Sequence, residues 1–239
     1  MKTYIWTLPT RLFHWLLAFS FTIAFILGGE EEFIHVHSSF GVFIGILVFF
    51  RIIQGFYGPR YTRFRDFPVS FEAIRYFLTR MKESKSSHPG HNPLASVVML
   101  SIFFMALLSA VSGIFLTATD VSGFCGLRLN TGIDPDVFGE VHEVVVHLFL
   151  LLVGFHLAGV IFDTMFHPQN KTIFSIITGY KQIEAAPAVL SRFQFFFTVF
   201  WLLVPAAMFF YTLRHQSTSA GTSEGTEQVD ENEKEENYS

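Results

Sequence analysis

Apolar residues in this chain come in long runs separated by short polar connections. Five runs approach or exceed the roughly 20 residues that a helix needs to cross a bilayer. They lie near 12–28, 35–57, 94–118, 141–165 and 193–213. The first begins almost at Met1, as a signal peptide would. No small-residue cleavage site follows it, because Leu27-Gly28-Gly29 runs into three glutamates, so the run is expected to stay in the protein. The expected fold is an all-α integral membrane protein. A four-helix transmembrane bundle occupies 1–183, an additional transmembrane helix lies within 184–215, and 216–239 form a disordered acidic tail.

Two shorter patterns differ from these runs. In VSFEAIRYFLTRMK, the side chains of Phe71, Ile74, Phe77, Leu78 and Met81 share a helical face, with Arg75, Arg80 and Lys82 away from it. Such a helix lies in the headgroup plane. IFSIITGY (173–180) reads the same way.

Composition sharpens the class. Hydrophobic residues make up 51% of the chain, with 31 phenylalanines, which places it among membrane proteins. The net charge of -4 is dominated by the tail, where seven acids face one lysine. The single cysteine, Cys125, can hold neither an intramolecular disulfide nor an iron–sulfur cluster, and no C-x-x-C-H motif for covalent haem occurs.

Charge also orients the spans. The connection after the second run carries Arg60, Arg63, Arg65, Arg75, Arg80, Lys82 and Lys85, whereas the first and third connections are acidic. Basic loops stay inside. The N-terminus is therefore expected in the cytoplasm of a bacterial inner membrane, and the acidic tail outside.

Histidines supply the chemistry. Ionisable side chains inside a membrane mark function by default. His142 and His156 are fourteen residues apart, hence within about 40° of one helical face and ~21 Å apart along the axis. His147 points about 140° away from His142. His14 opens the first span at the inner side, level with His156; His37 opens the second at the outer side, level with His142. The result is two cross-helix pairs, one per leaflet. Imidazole pairs between bundle helices suit haem iron, and two axial histidines leave no open coordination position. That favours electron transfer over substrate activation.

The surroundings offer room and charge. Gly41 and Gly45 follow His37, and Gly154 and Gly159 flank His156. They serve either helix packing or the approach of a flat cofactor. Arg11, Arg51 and His91 are candidate contacts for a haem propionate or a quinone, with membrane anchoring or helix entry as the plainer roles. His35 points roughly 200° from His37, so only His37 is expected as a ligand. His88 and His167 are expected in solvated loops.

The segments WTLPTRLFHWLL, HSSFGV, RIIQGFYGPRYTRFRDF, GHNPLA and the HE…H step together resemble the prokaryotic cytochrome b561 and nickel–iron hydrogenase cytochrome b subunit family over about residues 5–165. The resemblance implies two non-covalent haems b, with His14 and His156 on the inner one and His37 and His142 on the outer one. It departs at Gln54, where the hydrogenase-type pattern has Trp, and it does not reach the fifth span. The expected function is transmembrane electron transfer between a periplasmic redox partner, favoured as a hydrogenase-like iron–sulfur subunit, and membrane quinone. One rival is a quinol-oxidising cytochrome b serving a periplasmic cytochrome c or a small oxidant. Another, of a different class, is a histidine-based proton or metal transporter; a structural anchor is a third. No catalytic acid or base is recognisable.

Overall fold

A computed structural model describes the backbone of residues 2–81, 88–119 and 128–236; the side chains of 169 and 216–236 are not described. Cys125, Lys82 and Lys85 lie outside the described residues. The long helices are α1 (Leu8–Leu27), α2 (Ile34–Tyr57), α4 (Pro93–Thr119), α5 (Pro135–Phe166) and α7 (Arg192–Glu236), with short α3 (Phe71–Thr79) and α6 (Thr172–Thr178) between them. Among the described residues, five helical stretches are long and apolar enough to cross a membrane, the last being Arg192–His215. The fold is an all-α membrane bundle. From His215 the α7 backbone continues helically to Glu236, across the segment expected to be a disordered tail.

Local chemistry, rather than hydropathy, sets the starts of α1 and α5. Pro9 lies in the first turn of α1, which begins at Leu8. Asp134 caps α5 by accepting from the Asp136 N–H at 3.1 Å, and Pro135 takes the first helical position. α5 therefore starts six residues before the apolar run does. Its 32 residues reach about 48 Å, longer than the ~30 Å hydrocarbon core, so it projects beyond the bilayer. On α3, Ser70 caps by accepting from Ala73 N–H; Phe77 is buried while Phe71 and Leu78 stay exposed.

The core gathers Phe13 and Leu17 of α1, Leu47 and Val48 of α2, Phe103 and Ala106 of α4, Phe149 of α5 and Trp201 of α7. α4 packs on α5 and α2, and α2 packs on α1 and α7. Gly45 takes part in this packing, since a Cβ there would stand 2.8 Å from the Ala110 methyl. α7 runs antiparallel along α2: Gln194 donates to the Tyr57 carbonyl, and Phe209 meets Phe40 at 4.8 Å. Elsewhere the spans turn phenylalanines outward, including Phe19, Phe104 and Phe200. In water such a surface would aggregate; in hydrocarbon it is the solvent-facing side.

A small clip closes the end of the bundle where α1 begins. Strand β1 (Thr3–Tyr4) pairs antiparallel with β2 (Tyr180–Lys181), and the Gly179 carbonyl accepts from the Ile5 and Trp6 N–H groups. Gly179 has φ +89°, and a Cβ there would lie 2.6 Å from the Tyr4 ring and 2.8 Å from the Trp6 carbonyl oxygen, so the turn requires glycine. Trp6 donates its indole N–H to Ser175 of α6, and Arg11 donates to the Ile177 carbonyl near the end of that helix.

Candidate functional site

α5 carries one histidine of each pair. The His14 ring on α1 and the His156 ring on α5 have centroids 6.3 Å apart. At the other end of the bundle, the His37 ring on α2 and the His142 ring on α5 are 6.1 Å apart. The rings are brought together across helices in the combination that depth predicted.

A metal held between two imidazoles sets its own spacing. Two metal–nitrogen bonds of about 2.0 Å, plus ~1.1 Å from each nitrogen to its ring centre, separate the centroids by about 6.2 Å. Both pairs match that figure. Hydrogen bonds also select the ring nitrogen at the outer pair. His37 Nδ1 lies 2.7 Å from the Ala24 carbonyl, which only accepts, so Nδ1 holds the proton and Nε2 keeps its lone pair. His142 Nδ1 lies 2.9 Å from Ser112 Oγ, whose own hydrogen goes to the Ser109 carbonyl at 3.0 Å. His142 then donates to Ser112 and leaves Nε2 free as well. Such outer partners fix a metal-binding imidazole's tautomer and orientation. His14 Nδ1 is buried without a partner. Among the described residues no group of three or more His, Cys, Asp or Glu side chains gathers. Two imidazoles meeting across helices at each end of the bundle fit haem iron.

Two glycines absent from the sequence expectation shape the outer pair. A Cβ on Gly28 would stand 3.1 Å from the His37 ring, and one on Gly113 of α4 would stand 3.1 Å from the His142 ring. Gly41, Gly154 and Gly159 have open space at the Cβ position instead. Ser112 and Gly113 were missed because α4 carries no histidine to draw attention to it.

The other candidates separate clearly. His147 is exposed and bonds the Glu143 carbonyl on its own helix, apart from either pair. His167 is not solvated as expected: it is 2% exposed, beside Asp163 at 3.1 Å, where the chain folds back after α5. His88 also packs inward, against Phe77 at 5.7 Å. His91 lies between Trp6 and Phe67, at 4.9 and 4.8 Å. Burial above all, then Lys181, Arg51 and His156, lowers its pKa to about 3 and keeps it neutral. Lys181 stands over Trp6 and donates to the His88 and Gly90 carbonyls; burial lowers its pKa to about 8. Arg11 is half-buried at α6, whereas Arg51 is 2% exposed inside the bundle.

Comparison with known proteins gives concordant findings. The family described as prokaryotic cytochrome b561 matches residues 5–179, a stretch that includes all four paired histidines and stops before α7. Among curated relatives, the probable Ni/Fe-hydrogenase 1 B-type cytochrome subunits of Escherichia coli K12 and of Escherichia coli O157:H7 are each 26% identical over 140 residues, 47% of this chain and 59% of theirs. The chain thus spans under two thirds of the length of these relatives. No solved structure matches. Five spans, paired histidines and a family match over most of its length place this chain in the prokaryotic cytochrome b561 family, multi-pass membrane proteins of electron transfer that carry b-type haem.

Proposed function

We propose that this protein is a transmembrane electron conduit with two b-type haems. His14 and His156 would hold the inner haem, and His37 and His142 the outer one. The observation that carries the reading is the pair of cross-helix imidazole contacts at 6.3 and 6.1 Å, set about 21 Å apart along α5. Haem iron supplies reversible one-electron exchange at each site. The chain does the rest. Ser112 and the Ala24 carbonyl hold the outer rings in the tautomer that offers Nε2, and Gly28 and Gly113 give those rings clearance. The apolar core around Phe13, Phe103 and Phe149 keeps water from the inner pair and from the path between the pairs.

Electrons pass between a redox partner at the outer side and membrane quinone at the inner side. The excess of arginine and lysine between α2 and α4 supports an inner-membrane orientation with that loop and the N-terminus in the cytoplasm. A hydrogenase iron–sulfur subunit is the favoured partner, because the matched relatives are B-type cytochrome subunits of a Ni/Fe-hydrogenase. His91, half-buried between Trp6 and Phe67 at the end of the bundle where α1 begins and held neutral, is the candidate quinone contact.

The test is a dithionite-reduced minus oxidised spectrum of the detergent-purified protein with a pyridine haemochrome count. Two haems b per chain are expected, falling to about one in His14→Ala or in His37→Ala. A colourless preparation from haem-replete cells overturns the reading and returns the histidines to a transport role.

A further inference from the structure

The inner end of the bundle contains a charge that the histidine pairs do not use. Arg51 is 2% exposed, with its guanidinium carbon 5.0 Å from the Phe103 ring and 5.8 Å from the Phe13 ring. Its Nη1 is buried without a hydrogen-bond partner, and no carboxylate forms an ion pair with it among the described residues. An arginine that anchors a helix end extends its head to the lipid phosphates. One sealed at this level cannot do so. A buried cation without a counter-charge is strongly destabilising, and the two aromatic faces offset only part of that cost. The site lacks an anion.

Its position says which anion. The guanidinium carbon lies 5.8 Å from the ring of Phe13, which immediately precedes His14, so the charge sits beside the turn of α1 that carries the inner pair's first histidine. Guanidinium favours planar, bidentate partners such as a carboxylate. The wall behind the box comes from the fifth span. Trp201 of α7 is 1% exposed, stacks on Phe13 at 6.0 Å and 21°, and meets Phe50 edge-on at 6.1 Å. Removal of that indole would open a gap next to Phe13.

We propose that Arg51 binds a carboxylate of the inner haem, a propionate, and that Trp201 is a positioning residue through which the fifth helix holds Phe13 and hence Arg51 in place. This rests on the inner pair holding haem. It gives α7, which the family match does not reach, a part in setting the properties of that centre.

The experiment uses the full-length protein, depleted of haem and titrated with protohaem or with its dimethyl ester, which lacks both carboxylates. Wild type is expected to bind protohaem at the inner site at least about tenfold more tightly than the ester, and Arg51→Met to bind the two alike. In redox titrations of the haem-replete protein, Arg51→Met lowers the reduction equilibrium of the inner haem about tenfold, or about 59 mV for a one-electron couple. Arg51→Lys restores part of this, and Trp201→Leu shifts the inner haem in the same direction by less, with the outer haem unmoved. Equal affinity of wild type for the two porphyrins overturns the proposal, as does an unshifted inner haem in a two-haem Arg51→Met protein. If Arg51→Met does not accumulate, the wild-type porphyrin comparison decides alone. A wild-type protein that binds neither porphyrin overturns the haem reading beneath it.

Discussion

Gly113→Ala tests how the outer histidine pair is held. The added Cβ would stand 3.1 Å from His142 Cε1 and 3.4 Å from its Nδ1. Carbon atoms in good contact sit about 3.5–4.0 Å apart, so the ring must retreat by about half an ångström. The bond from His142 Nδ1 to Ser112, now 2.9 Å, would then stretch towards the limit of a hydrogen bond. Overpacking of this kind costs about 1–3 kcal/mol, and the loss of an orienting partner lowers metal affinity about 10–100-fold. Helix propensity works the other way, since alanine is better than glycine by up to about 1 kcal/mol. Gly113→Ala should therefore destabilise the haem-depleted bundle by no more than about 2 kcal/mol, read by thermal unfolding, while outer-site haem affinity falls about tenfold or more. Gly28→Ala should do the same through His37. Haem titration followed by pyridine haemochrome separates the sites, with His14→Ala serving as the protein that retains only the outer one. Wild-type outer-site affinity in both glycine variants would refute the claim that the pair depends on this clearance.

Other outcomes follow from the same geometry. Ser112→Ala removes the acceptor for His142 Nδ1–H and should lower outer-haem affinity about tenfold while the inner haem is unchanged; equal loss at both sites would contradict it. His147→Ala and His35→Ala should keep the haem count at the wild-type value, because neither ring belongs to a pair. His91, held at a pKa of about 3 by burial, binds its proton less readily folded than unfolded. Its contribution to stability is present above about pH 6.5 and is lost as pH falls towards 3, so His91→Asn should flatten the acid limb of a stability–pH curve. Lys181, lowered to about 8, makes folding more favourable as pH rises from about 8 to about 10.5; Lys181→Gln should abolish that slope in thermal unfolding, and a persisting slope would show that other groups cause it.

The spans were legible because hydrocarbon demands long apolar runs, and α2 and α4 begin within one residue of where those runs start. The start of α5 was not read from the runs, since PDVFGE dilutes its hydropathy, although Asp134-Pro135 is a start signal of another kind. The histidine pairs were legible because span direction converts sequence position into depth, and depth limits which rings can meet. That logic says nothing about the ring nitrogen, which Ser112 and the Ala24 carbonyl select across helix interfaces. The roles of Gly28 and Gly113 depend on sub-ångström helix approach and leave no periodic trace. The inward turn of His167 depends on Asp163, four residues earlier, which also accepts from Asn170 and Thr172. A polar connection of that kind resembles a solvated one until its partners are known.

The β1–β2 clip also imposes an order of events during synthesis. Thr3 and Tyr4 leave the ribosome first, but the residues they pair with, Tyr180 and Lys181, follow only after four spans have been made. At ordinary elongation rates that interval is roughly ten to thirty seconds. Until it ends, Trp6 lacks the Ser175 hydroxyl and Lys181 beside it, and the end of the bundle that holds His14 and His156 stays unlatched. The clip is thus a late structure: it can form only once β2 has been made and folded back onto the first residues of the chain.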